Sequence, residues 1–225
     1  MLTILPYKFS INPIIEQVNE IGYAKRLCLN TQSGEFFNDP WKINPELSNT
    51  PLGEVLSALG DIGQARLLRL ESGETYTAHT DPDDRIHMAI VTNPYSYLID
   101  ITDNSLIHIP ADGQLWFMDT SKTHVAANLG PTTRVHLNIR VLLPHFDDNK
   151  PFIHFQVDNT SITWKQDSYI ELMGFVNNGI KTGCITGFAA PDETNLFLNC
   201  KNPTIFDDII YNIRVLGVKI DVIIG

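Results

Sequence analysis

His79-Thr80-Asp81 puts an imidazole and a carboxylate two positions apart. On an extended strand such residues project to one face, so both side chains can reach a single ion. A second histidine from a later strand would complete two imidazoles and one carboxylate on one side of a metal. That set suits a non-haem Fe(II) centre with open positions opposite, where O2 and a chelating co-substrate bind. His124, at a strand end after Trp116-Phe117-Met118-Asp119, is the candidate. Arg134 lies ten residues beyond it and can hold the distal carboxylate of a dicarboxylate through a forked, charge-assisted contact. The short motif also has a plainer reading. His79 can be a strand-end histidine bonded to the turn at Asp81-Pro82-Asp83, with Asp81 an Asx-turn residue.

The strand carrying Arg134 alternates sharply. Val135, Leu137, Ile139 and Val141 are apolar, whereas Arg134, His136, Asn138 and Arg140 are strongly polar. One face is therefore oily and the other polar. Two structures fit: an antiparallel strand with one wet face, or a polar face lining a ligand cavity. Arg85 and His87, set against Ile86, Met88 and Ile90, repeat the division on a second strand.

These side chains need a scaffold, and the turn signals outline one. Strands are expected at Gln64–Leu70, Thr75–Thr80, Arg85–Thr92, Tyr97–Ile101, Ser105–Ile109, Gln114–Asp119 and Thr133–Leu143. Many short strands at this spacing imply a sandwich or jelly roll. Two helices precede them. Asn12-Pro13 opens the first as N-cap and N1, and Gly22 stops it. Thr50-Pro51 opens the second, with Leu52, Val55, Leu56 and Leu59 on its apolar face and Gly60 at its end. Residues 30–49 read as loop, and the helices should cover one sheet from outside. A Pro/Asp/Asn-rich break over Pro144–Pro151 divides the chain into a first domain, 1–150, and an appendage, 151–225. In the appendage Phe152–Val157 and Thr160–Lys165 read as a hairpin, and Ser168 with Glu171 as a capping box for a helix through Phe175. Thr204–Leu216 reads as helix and Val218–Ile224 as strand, a small α+β unit with no chemical motif.

Composition narrows the function classes. The chain has 225 residues, 43% of them hydrophobic, enough to bury a sizeable core. Its formal net charge of -10, with no Lys/Arg cluster, argues against nucleic acid as a partner. Cys28, Cys184 and Cys200 form no C-x-x-C pair, which fits a reducing compartment. Neither a secretory leader nor an apolar run of about 20 residues is evident. The expectation is a soluble cytoplasmic protein with no membrane partner.

The motifs together resemble the aspartyl/asparaginyl β-hydroxylase and bacterial proline hydroxylase group of 2-oxoglutarate oxygenases. The resemblance runs from about Ala65 to Val141. It rests on His79-Thr80-Asp81, Arg85-Ile86-His87, Gly113 to Asp119 as G-x-x-W-F-x-D, His124 to Asn128 as H-x-A-x-N, and Arg134 six residues after the Asn. It implies a mainly β chain built on a double-stranded β-helix (jelly roll, cupin-like) with N-terminal covering helices. It implies Fe(II) on His79, Asp81 and His124, 2-oxoglutarate as co-substrate on Arg134, and O2 as oxidant, with ascorbate as a supporting reductant. Arg85, with His87 beside it, would orient the co-substrate. Trp116 and Asp119 would shape the strand before the third ligand, and Asn128 would fix the loop after it. The activity implied is hydroxylation of a C–H bond in an amino acid or peptidyl residue, proline or Asp/Asn-like. The polar strand face, not the resemblance, offers Arg140, or Arg66 on the earlier strand, as partner of a substrate carboxylate; their plainer reading is a surface Arg. Asp81 follows the proline hydroxylases, because animal aspartyl hydroxylases lack the carboxylate. The R-x-H element and its short distance from His79 follow the aspartyl branch. A non-catalytic jelly-roll module that binds a small ligand is the competing reading, and a metal-dependent isomerase on a similar barrel is a third. Arg134 at a set distance behind His124 favours the oxygenase.

Overall fold

The computed structural model describes residues 2–22, 24–157, 166–192, 195–215 and 220–225. An edge strand β1 (Leu2–Lys8) leads into α1 (Ile11–Ile21), then β2 (Arg26–Cys28), β3 (Asn30–Thr31), β4 (Lys42–Ile43) and α2 (Pro51–Leu59). The strands β5 (Ala65–Leu70), β6 (Arg85–Val91), β7 (Ser96–Asp100), β8 (Ser105–Ile107), β9 (Gln114–Met118), β10 (His124–Asn128) and β11 (Arg134–Arg140) follow. Beyond them come β12 (Phe152–Val157), α3 (Gln166–Lys181), β13 (Ile185–Asp192), β14 (Asn195–Cys200), α4 (Phe206–Val215) and β15 (Ile220–Ile224). They fall into two units, Met1–His79 with Asp84–Leu142, and Thr80–Asp83 with Leu143–Gly225. The chain is mainly β, with several antiparallel sheets and few helices.

The first unit holds a six-stranded antiparallel sheet in the order β1-β9-β6-β11-β5-β2 and a three-stranded sheet, β10-β7-β8. Alternation on β11 decides how the larger sheet packs. Val135, Leu137 and Ile139 join Leu67, Ile86, Met88 and Ile90 on one face, against Ile14 and Val18 of α1 and Leu52, Val55 and Leu56 of α2. The helices thus cover that sheet as their apolar spacing requires. Each such aliphatic side chain contributes about 1.5–3 kcal/mol on burial. The opposite face turns toward the smaller sheet. Leu70, Ala89 and Met118 from the larger sheet share a core with Leu98 and Ala126 from the smaller one.

Helix boundaries follow local chemistry. Thr50 caps α2 through its hydroxyl, which accepts from the Gly53 N–H at 3.2 Å, and Pro51 sits at N1. Gly60 ends α2 at φ 70° and Gly22 ends α1 at φ 86°, conformations a side chain disfavours. The start of α1 differs from expectation: Ser10, not Asn12, is its N-cap residue. Pro13 is still tolerated because it lies in the first turn, where backbone N–H groups have no intrahelical acceptor.

Other differences concern pairing that only the fold creates. β1 and β2 were not foreseen; they are the edges of the large sheet, with β1 on β9 and β2 on β5. β10 was not foreseen as a strand either; it pairs with β7. Residues 30–49 contain the short β3/β4 pair and one 3-10 turn, Pro45–Leu47, not only loop. The strand expected at Thr75–Thr80 is instead an extended segment with isolated bridges at Thr75–Ala127 and His79–His124.

The second unit has a four-stranded antiparallel sheet, β13-β14-β12-β15, with α3 and α4. Buried Leu172, Met173 and Val176 mark the inner side of α3. That helix is already formed at Gln166, so Ser168 and Glu171 are interior positions and not its cap. Thr160–Lys165 lies outside the described residues. The expected Thr204–Leu216 helix is a 3-10 turn followed by α4, and the last strand is β15. All three cysteines are free. Among the described residues no helix is long and apolar enough to cross a membrane.

Candidate metal centre and its polar interior

Backbone pairing sets the two histidines side by side. His79 N–H donates to the His124 carbonyl at 3.1 Å, and His124 N–H donates back to the His79 carbonyl at 2.9 Å. Residues paired this way project to the same face, and their ring centroids stand 4.6 Å apart. Each ring is held by the carbonyl two residues earlier. His79 Nδ1 meets the Thr77 carbonyl at 2.7 Å, and His124 Nδ1 meets the Lys122 carbonyl at 3.0 Å. A carbonyl only accepts, so both rings carry their proton on Nδ1 and present the Nε2 lone pair. Asp81 supplies the third group. Ligand atoms of His79, Asp81 and His124 lie within 4.8 Å of one another, a set that one cation can bridge. His124 is buried, and the other two are half-buried.

The turn before His124 is tied down by Asp119, whose Oδ1 accepts from the Ser121 N–H at 3.1 Å and its hydroxyl at 2.6 Å. The end of β10 is tied down by Asn128, which is fully buried. Its Oδ1 accepts from Asn93 Nδ2 at 2.9 Å and the Ser96 hydroxyl at 3.0 Å. Its Nδ2 donates to the carbonyls of Leu70, Glu71 and Thr132 at 3.0, 3.0 and 2.8 Å. Asn128 therefore links β10, the end of β5 and the turn leading to Arg134. Asn128→Ala strands several buried partners and should cost about 2–4 kcal/mol of stability, read from the urea midpoint. A loss below about 0.5 kcal/mol would mean the network is dispensable.

The polar face of β11 is not wet. Every residue of β11 is buried, including Arg134, His136, Asn138 and Arg140. Register puts them on the face that turns to the smaller sheet: Arg134 opposes Leu70, His136 opposes Ala89, Asn138 opposes His87 and Arg140 opposes Arg85. His124 and Asp100 are likewise opposite each other, on the face that carries Ala126 and Leu98 inward. The interior between the sheets is thus lined by ionisable and amide groups.

Arg134 is 2% exposed. Burial draws its pKa down to about 10, against the opposing influence of Tyr76, so it stays a cation at neutral pH. Among the described residues no carboxylate pairs with it, and its Nε–H has no partner. Its Nη2 donates to His136 Nδ1 at 3.0 Å. His87 is buried, with its Nε2 3.2 Å from Asn138 Nδ2, and Arg85 donates from Nη1 to the Asp84 carbonyl at 3.2 Å. Arg140 lies over the Phe36 and Phe37 rings, 3.9 and 4.8 Å from their centroids. Arg66 is half-buried opposite Asn138 and donates to Gln64 Oε1 at 3.2 Å. Trp116 shares the His87 and Asn138 row, and its indole N–H has no partner among the described residues.

Two interior groups were not singled out from the sequence. Asp100 is fully buried opposite His124. One of its oxygens accepts from the Asp103 N–H at 3.0 Å, and the other has no partner among the described residues. It fell inside the expected strand Tyr97–Ile101 and belonged to no motif. His136 was visible only as one member of the polar face. Residues 44–144 match the family described as Aspartyl/Asparaginyl beta-hydroxylase, and the matched stretch holds all three candidate ligands.

Proposed function

We propose that the chain is an Fe(II)- and 2-oxoglutarate-dependent dioxygenase that hydroxylates a C–H bond of an amino acid or peptidyl residue, proline or Asp/Asn-like, on a double-stranded β-helix formed by the two sheets of the first unit. The observation that carries this reading is the convergence of His79, Asp81 and His124. Both imidazoles are turned to ligate through Nε2 by Nδ1 hydrogen bonds, and the donor set suits iron with open positions. A buried Arg134 with no carboxylate on it among the described residues fits the distal end of a dicarboxylate. Bound there, Fe(II) with 2-oxoglutarate and O2 would supply the oxidising power for hydroxylation, with succinate and CO2 as co-products.

The protein's own part is positioning. His79, Asp81 and His124 hold one side of the ion. Arg134 fixes the far end of the co-substrate, with Arg85 and His87 lining its path. Arg140 and Arg66 stand on the same sheet face as candidates for a substrate carboxylate. The apolar helix-side core makes the large sheet rigid, so these groups are pre-organised.

The test is succinate release from 2-oxoglutarate with Fe(II), ascorbate and O2, across a panel of free amino acids and peptides. One member should stimulate release and gain the mass of one oxygen. Arg140→Ala should then lower kcat/KM for that member by roughly 10- to 100-fold without changing 2-oxoglutarate affinity. No succinate with any member, but tight binding of a small ligand without O2 consumption, would favour the binding-module reading.

A further inference from the structure

Gly174 stands in the interior of α3, a helix of 16 residues. Glycine is unfavourable there, because its backbone loses more freedom than that of alanine on entering a helix. The same helix holds Gly179, and packing explains it: a side chain at that position would run into Ile185 of β13. Gly174 has a different neighbour. It is buried, and a Cβ at this position would stand 3.3 Å from Thr80 Oγ1 and 3.5 Å from Thr80 Cβ. The first distance is tighter than ordinary van der Waals contact. Thr80 precedes Asp81, and Thr80–Asp83 groups with α3 in the second unit. Both ends of this short turn are tied. His79 exchanges backbone bonds with His124, and Asp84 accepts from the Thr120 N–H at Oδ1 (3.1 Å) and from the Val141 N–H at its carbonyl (2.9 Å). A push on Thr80 therefore cannot spread along the chain and must be taken up between residues 80 and 83, where Asp81 is. A metal ligand tolerates displacement of only about 0.2–0.5 Å.

We infer that Gly174 is a positioning residue for the metal: its bare backbone lets α3 close on Thr80, and that approach sets where the Asp81 carboxylate stands. The second unit, in which the sequence shows no chemical motif, thereby places one of the three ligands. The inference rests on the assignment of His79, Asp81 and His124 to a metal.

The test sets stability against metal binding. Gly174→Ala removes the helix penalty, so the Tm of the metal-free variant should equal or exceed that of wild type. Its added methyl presses on Thr80, so Fe(II) affinity, titrated anaerobically, should fall about 3- to 10-fold. Gly174→Leu presses further and should lose about 10- to 100-fold. Thr80→Ala takes away the closest oxygen. In that background Gly174→Ala should change Fe(II) affinity less than about twofold, a coupling that contact between the two positions produces. Co(II) in place of Fe(II) adds a spectroscopic reading: the visible bands of Gly174→Leu should move toward those of Asp81→Ala. Should Gly174→Leu fail to fold, the alanine variants decide alone. Unchanged Fe(II) affinity at wild-type strength in the Gly174 variants would overturn the inference. A loss that persists undiminished in the Thr80→Ala background, or that comes with a lowered Tm, would overturn it too and leave Gly174 a residue of the fold alone. Equal Fe(II) binding by wild type and Asp81→Ala would instead remove the ligand assignment beneath it.

Discussion

His124→Ala should abolish turnover while leaving the chain folded. The imidazole is one of three groups around the candidate metal position, but the backbone of residue 124 pairs with His79 and with Asp100 through atoms the substitution keeps. Removing an outer partner of a metal ligand costs about 10- to 100-fold in metal affinity or activity. Removing the ligand itself should exceed that, with Fe(II) affinity down more than roughly 100-fold and succinate release down about 1,000-fold or more. Asp81→Ala should behave alike, and Asp81→Asn should show that charge, not size, is needed. Anaerobic titration with Fe(II) reads the metal affinity, and a thermal scan of the metal-free proteins should show a change of only a few degrees. Equal metal binding and succinate release in wild type and His124→Ala would remove the metal assignment.

Arg134→Met should move stability and co-substrate affinity in opposite directions. A buried guanidinium with no carboxylate beside it among the described residues is costly in the unliganded protein. Methionine fills similar space without that cost, so the Tm of the unliganded variant should equal or exceed that of wild type. The same change removes the charged partner proposed above for the 2-oxoglutarate distal carboxylate. Deleting one side of a buried, hydrogen-bonded charge pair costs about 2–5 kcal/mol, so Kd should rise roughly 30- to 4,000-fold. A structural arginine would instead lose stability on substitution and leave 2-oxoglutarate binding unchanged.

Local chemistry made much of this legible before any coordinates. The polar and apolar halves of β11 were readable from alternation at Arg134, His136, Asn138 and Arg140, because the strand period is two. The caps of α2 were readable at Thr50-Pro51 and Gly60, because they depend on neighbours in sequence. What sequence left open was whether the polar face of β11 meets water or lines an interior. That depends on the smaller sheet, whose strand β10 lacks strong turn signals at its start. His124-Val125-Ala126-Ala127-Asn128 is defined by its partners Ser96–Asp100, not by its own alternation. β1 was invisible for the same reason, since its pairing with Gln114–Met118 spans more than a hundred residues. Asp100 and His136 became distinguishable from ordinary polar residues only when burial left their outer atoms without partners among the described residues.

The strand order β1-β9-β6-β11-β5-β2 also governs how the protein must be made. Its neighbours in space are remote along the chain: Leu2 aligns with Met118, and Leu70 with Arg134. Closing such long loops before any contact rewards them slows folding toward the millisecond-to-second range seen for high-contact-order β proteins. On a ribosome the central strand β11 emerges after both of its neighbours, β5 and β6, whose facing edges await it. The nascent chain therefore passes through a stage with an unfilled strand slot. Arg134 arrives with that last strand, so the buried polar row it heads forms only once the sheet is closed.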